Sequence, residues 1–271
     1  MRLVVPIVAA AALIASAGAV AKSAVPPILF PVVGPVTFYD DFGEQRGATR
    51  HQGNDLLGAK RTPVVAIESG KVQYWTTSQS AGCMLYLYGA SGTMYEYIHL
   101  NNDLTARNDN RGTCGQGVSY AVPDGTHVEA GQAIGYLGDS GDANGLHAHL
   151  HFEIHPGGGK ATDPFPFLKK APHPLVAAPP SGTGFTLRLT GTVVSEGTDG
   201  LTLKVDQLTS WPSHLKVSKL NRRLTLAVPD PSVVAVSAGD QVIAWTMPAP
   251  ATMQAMTGAP GALSLDRVQV G

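Results

Sequence analysis

The chain is poor in charge, in aromatic residues and in cysteine. Asp, Glu, Lys and Arg make up 14% of its 271 residues and almost cancel, leaving a formal net charge of −1. That balance excludes nucleic acid as the main partner, because binding phosphates takes clustered Lys and Arg. The two cysteines, Cys83 and Cys114, form no C-x-x-C pair, so a cysteine-built zinc site is excluded. Long periodic helical segments are also missing. What is plentiful is glycine (31) and proline (20), against a hydrophobic fraction of 44% that is enough to bury a core. The expectation is a turn-rich, mostly β protein.

Arg2 is followed by an apolar run from Leu3 to Val20, and Ala19-Val20-Ala21 fits a small-x-small cleavage pattern. The run is short for a membrane span. Residues 1–21 are therefore expected to be a signal peptide, with no stable membrane insertion after cleavage. The protein is expected to be exported, to a periplasm, cell envelope or extracellular space. In such a compartment an even cysteine count suggests one disulfide, Cys83 with Cys114, two free thiols being the alternative.

Residues 22–37 read as an apolar, proline-containing leader. Between 38 and 170 come short apolar runs broken by glycine. Val64 to Ile67, Lys71 to Trp75, Met84 to Tyr88, Met94 to His99 and Ala133 to Leu137 read as strands. Asn101 to Ser119 reads as a long surface loop. Residues 171–183 have a linker composition, with Pro172, Pro174, Pro179 and Pro180 among small residues. From 184 to 271 alternation returns, as in Phe185, Leu187 and Leu189 against Thr186, Arg188 and Thr190. This is expected to be a second, small β-barrel-like domain of unknown role.

Nine histidines occur, three of them in Leu146-His147-Ala148-His149-Leu150-His151-Phe152-Glu153-Ile154. In a strand, residues i and i+2 share a face, with Cα atoms roughly 6.5–7 Å apart. His147, His149 and His151 then line one face, and Ala148, Leu150 and Phe152 the other. Imidazole is a common zinc ligand, and a catalytic zinc needs three protein ligands plus water. A further ligand must come from elsewhere, and His51-Gln52-Gly53-Asn54-Asp55 offers a His and an Asp four apart, with a glycine between them that disfavours helix. H-E-x-x-H, which needs a helical turn, is absent.

These strings, with Tyr97-Ile98-His99-Leu100, Gly131 to Gly135 and Thr162 to Leu168, resemble the lysostaphin-type (LytM-like) zinc metalloendopeptidases of bacterial cell walls. The resemblance spans about residues 38–170 and implies an antiparallel β-sheet peptidase domain with zinc in a groove across the sheet. It implies that His51, Asp55 and His151 bind Zn²⁺, that His149 is a catalytic base or orienter and that His99 is its companion. The implied partner is a peptidoglycan peptide, cut in stems or cross-bridges. The alternatives are a catalytically silent module that binds the wall or regulates another hydrolase, and a zinc peptidase acting on other exported proteins.

His147 falls at the cleft rim as an extra. Glu153 shares the histidine face and is read as supporting the site. His127, His155, His173 and His214 are expected to be solvated. The segment between His99 and Val128 is longer than is usual in the family and is expected beside the cleft.

Overall fold

The computed structural model describes residues 25–105, 107–179, 183–197 and 200–271, so the expected signal peptide lies outside the described residues. In the first half, β1 (Gln45–Arg46) and β2 (Thr49–Arg50) form a small hairpin. There follow β3 (Asn54–Leu57), β4 (Pro63–Val65), β5 (Gly70–Trp75), β6 (Cys83–Gly89), β7 (Met94–Leu100), β8 (His127–Val128), β9 (Ala133–Tyr136) and β10 (His149–His155). Six of them make an antiparallel sheet in the order β3-β10-β7-β6-β5-β8, while β4 pairs with β9.

Alternation explains the sheet. Leu85 and Leu87 on β6, Tyr95 and Tyr97 on β7, and Leu150, Phe152 and Ile154 on β10 are buried in one core with Phe30, Val64 and Ile134. Tyr97 packs edge-on against Phe152, ring centroids 5.3 Å apart. The intervening residues of β10 are buried as well, on the opposite face. Both faces of this strand are therefore committed, one to the core and one to polar groups.

The Cys83–Cys114 disulfide is formed and ties the 101–119 loop to β6. Lys60 Nζ adds a second tie, 2.6 Å from Asp103 and 2.8 Å from Asp139.

The second half contains β11 (Thr186–Gly197), β12 (Gly200–Trp211), β13 (Lys216–Leu226), β14 (Gln241–Thr246) and β15 (Leu265–Val270). They form an antiparallel sheet in the order β13-β12-β11-β14-β15 over its own core, including Leu187, Leu189, Leu203, Val205 and Leu224. The expected barrel is not closed among the described residues. The sheet curls instead, helped by register shifts at Thr190/Gly191 and Val205/Gln207. Its outer strands meet at Ala227, whose N–H donates to Leu263 O (2.9 Å) and whose carbonyl accepts from Leu265 N (2.8 Å).

Two apolar segments bind the halves together. In the leader, Ile28, Phe30 and Val32 enter the first core, while Leu29 and Val33 join Val65 in a cluster reached by Leu215 and Met253. The proline-rich stretch is packed over its early residues: Ala171 borders the first core, and Leu175 and Val176 enter the second. No helix of the described residues is long and apolar enough to cross a membrane.

His173, expected to be solvated, is half-buried and stacks on Phe30 with ring centroids 3.8 Å apart. Burial, aided by the Arg222 charge, pushes its pKa down to about 4. The folded chain thus resists a proton that the unfolded chain accepts near pH 6.5. Folding stability is expected to fall as pH drops from about 6.5 toward 4, because the unfolded state binds more protons there. Urea midpoints measured across that range should drop less steeply for His173→Phe than for the natural chain. Parallel curves would show that His173 does not contribute.

Candidate metal centre

The centre is assembled by strand register. β10 lies between β3 and β7, with His151 directly opposite Asp55 on one side and Ile98 on the other. Opposed residues of an antiparallel pair share a face, which brings Asp55 and His151 together. His51, just before β3, completes the group. His51 Nε2 lies 2.8 Å from His151 Nδ1, and Asp55 Oδ1 lies 3.2 Å and 3.1 Å from those two atoms. These three side chains can hold a metal ion.

Gly53 makes this convergence possible for a reason the sequence does not reveal. Its role is space rather than a turn. A Cβ there would sit 2.4 Å from Phe152 O and 2.9 Å from His151 Nε2.

Each ligand's outer atom is already engaged. His51 Nδ1 donates to Asp41 O (2.9 Å), which leaves Nε2 with its lone pair facing inward. His151 Nε2 donates to Glu153 Oε1 (2.8 Å), which leaves Nδ1 facing inward. Arg46 Nη2 donates to Asp55 Oδ2 (2.7 Å), which leaves Oδ1 inward. Asp41 is 1% exposed and also accepts from Asn54 Nδ2 (2.5 Å) and Arg46 Nη2 (3.3 Å). Two nitrogens and one carboxylate oxygen suit Zn²⁺ and leave a tetrahedral position free. Ca²⁺ and Mg²⁺ favour all-oxygen shells.

His99 and His149 stand beside this group, with ring centroids 4.9 Å apart. Strict alternation would turn His99 into the core, since Ile98 is the residue opposite His151. A register shift between Cys83 and Leu85 places a bulge there, and His99 takes φ 61°. His99 thereby turns back to the cleft. Its Nδ1 donates to Ser140 O (2.8 Å), and His149 Nδ1 donates to His147 O (2.9 Å). Both Nε2 atoms therefore carry lone pairs. His149 Nε2 lies 3.7 Å from Asp55 Oδ1, and His99 Nε2 lies 3.7 Å from the exposed Asp142.

The electrostatics favour positive charge at the middle. Burial would raise the Asp55 carboxyl, but the imidazoles of His151 and His51 against it hold it well below the usual carboxylate range. Burial would lower His151, yet the Asp55 and Glu153 carboxylates push it up to about 9, so a metal ion bound at Nδ1 would displace a proton from it. Glu153 is likewise carried against burial, down to about 2, by His151 and His155. His99 goes the other way: burial and the neighbouring His149 and His151 take it down to about 4.

The cleft above the centre has a volume of about 350 Å³, and Arg46, Arg50, His51, His99, His151 and Glu153 are among its lining residues. The 101–119 loop contributes no described residue to it. That loop instead braces the neighbouring turn, with Asn108 Nδ2 donating to Asn144 Oδ1 (2.8 Å).

All five residues named from sequence gather here. His147 is exposed at the start of the strand, and His127 and His214 are exposed. His155 departs from its expected exposure and is buried next to Glu153. Asp41 and Arg46 were not foreseen. They sit outside any motif spacing, and only the packing of the hairpin against β3 reveals them.

A model of peptidase family M23 matches residues 49–164. Lysostaphin of Staphylococcus simulans is 28% identical over 165 residues, which cover 59% of this chain and 30% of lysostaphin. The peptidoglycan DD-endopeptidase ShyC of Vibrio cholerae is 28% identical over 104 residues, 38% of this chain and 20% of that protein. The chain thus spans less than a third of the length of these curated relatives. Among solved structures, the catalytic domain of lysostaphin from Staphylococcus simulans aligns at 30% identity with a TM-score of 0.38, over 49% of this chain and 90% of that one.

Gly53→Ala is expected to force β3 away from β10. It should lower stability by roughly 1–3 kcal/mol and weaken divalent-metal binding. Thermal melts and Zn²⁺ titration check both. Unchanged metal affinity would show that the close approach is dispensable.

Proposed function

The chain belongs to peptidase family M23 through residues 49–164, and on that premise we propose that it is an exported zinc metalloendopeptidase hydrolysing peptide bonds in peptidoglycan stems or cross-bridges. The observation that carries this reading is the convergence of His51 Nε2, Asp55 Oδ1 and His151 Nδ1 beside the inward-facing Nε2 atoms of His99 and His149. The peptidoglycan named for one relative supports the substrate class. The signal-like residues 1–21 support export.

His51, Asp55 and His151 would hold the ion. Bound there, Zn²⁺ would polarise the scissile carbonyl and bring the pKa of a water down to about 7. His149 is the proton carrier. Its Nδ1 is bonded to the His147 carbonyl, and its Nε2 lies 3.7 Å from Asp55 Oδ1. It takes a proton from the attacking water and returns it to the leaving amine. His99 resists protonation down to about pH 4, so it serves as a neutral acceptor that orients the water. Arg50 at the cleft wall offers positive charge to the carboxylates of a stem peptide.

Digestion of purified peptidoglycan, followed by mass spectrometry, tests this. The zinc-loaded chain should release fragments with new peptide termini, and a chelator should abolish them. His51→Ala, Asp55→Ala and His151→Ala should lose zinc and activity together. His149→Ala should keep its zinc and lose about 10²-fold or more in turnover. Absence of fragments from a zinc-loaded sample would overturn the enzyme reading in favour of a silent wall-binding module. Full zinc in the first three variants would overturn the ligand assignment.

A further inference from the structure

We propose that His155 is a positioning residue of the metal centre, acting on His151 through Glu153. The inference rests on the reading of His51, Asp55 and His151 as metal ligands.

Glu153 and Glu96 stand directly opposite each other on β10 and β7. Two facing carboxylates repel, and neither would hold a fixed orientation alone. His155 lies between them. Its Nε2 is 2.7 Å from Glu153 Oε2 and 3.4 Å from Glu96 Oε1. Its Nδ1 donates to Gly159 O at 2.8 Å. A carbonyl and a carboxylate only accept hydrogen bonds. Both ring nitrogens therefore donate, and the ring carries the positive charge that two carboxylates call for.

The turn that supplies the Gly159 carbonyl is built for this purpose. Pro156–Gly158 is a short 3₁₀ turn in which Gly157 and Gly158 take φ 63° and 69°. It returns the backbone to the ring that starts it. Glu153 is then held at both oxygens, Oε2 by His155 and Oε1 by His151 Nε2 (2.8 Å). Its grip on Nε2 keeps the His151 Nδ1 lone pair aimed at the centre. The line Glu96–His155–Glu153–His151 thus runs from an ion pair (3.4 Å) through two charge-assisted hydrogen bonds to Nε2 of His151, whose other nitrogen, Nδ1, faces the centre. Partners of this kind fix ligand orientation and raise metal affinity.

The test is Zn²⁺ affinity and stoichiometry by chelator competition on the full chain, with circular dichroism and thermal midpoints of the metal-free proteins as the folding control. Glu153→Ala should weaken zinc binding by about 10–100-fold and His155→Ala by about tenfold. The double variant should be no weaker than Glu153→Ala, because His155 acts through Glu153. His155→Gln, which restores an N–H donor, should recover most of the loss. If His155→Ala fails to fold, Glu96→Gln keeps the shape and should still weaken binding a few-fold.

Unchanged affinity in a folded His155→Ala, or additive losses in the double variant, would overturn the proposal. So would a second zinc equivalent that vanishes in His155→Ala, since Glu96, Glu153 and His155 would then be a metal site of their own. A natural chain that binds zinc no better than His51→Ala would overturn the centre itself, and with it the relay.

Discussion

The register of β10 against β3 is the constraint on which the rest depends. His151 faces Asp55 across that ladder, and the side-chain period of a strand is two. A slip by one residue would send His149, His151 and Glu153 into the apolar layer and bring Leu150 and Phe152 to the cleft. The slip is prevented from the other side. Leu150, Phe152 and Ile154 fill the core with Tyr95 and Tyr97, so hydrophobic burial sets the position of the polar groups. The energy that holds the proposed centre together is largely spent on the face away from it.

Around that register the proposed ligands are oriented by groups outside the proposed coordination set. A backbone carbonyl, a carboxylate and a guanidinium each occupy one outer atom of a ligand. This arrangement resolves the ambiguity of an imidazole, which has two equivalent-looking nitrogens. His51 presents Nε2 and His151 presents Nδ1, and in each case the choice follows from what the other nitrogen touches. His99 and His149 obey the same logic, with carbonyls at both Nδ1 atoms.

Much of the first half was legible from sequence because its strands alternate cleanly. The expected runs at 71–75, 84–88 and 94–99 fall within β5, β6 and β7. Spacing and family resemblance pointed to His51, Asp55, His99, His149 and His151, which the fold brings together. What stayed hidden was non-local. His99 faces the cleft because of a bulge, and a bulge depends on the partner strand. Arg46 matters through a contact made by a hairpin too short to show periodicity, and Asp41 through contacts of the segment that precedes it. His155 was misjudged because a lone histidine near a turn looks solvated until the opposite strand brings Glu96 beside it. In the second half the alternation from Phe185 to Thr190 was visible and falls at β11, but whether the sheet closes depends on twist and register shifts that composition does not encode.

The leader has a practical consequence for anyone wishing to graft this unit onto another module. Ile28, Phe30 and Val32 point into one half while Leu29 and Val33 point toward the other. A chimera cut at the start of the family match would discard the wedge that both halves share. The natural unit of transplantation therefore begins upstream, near Val25, and a replacement for the second half would have to offer its own apolar seat for Leu29 and Val33.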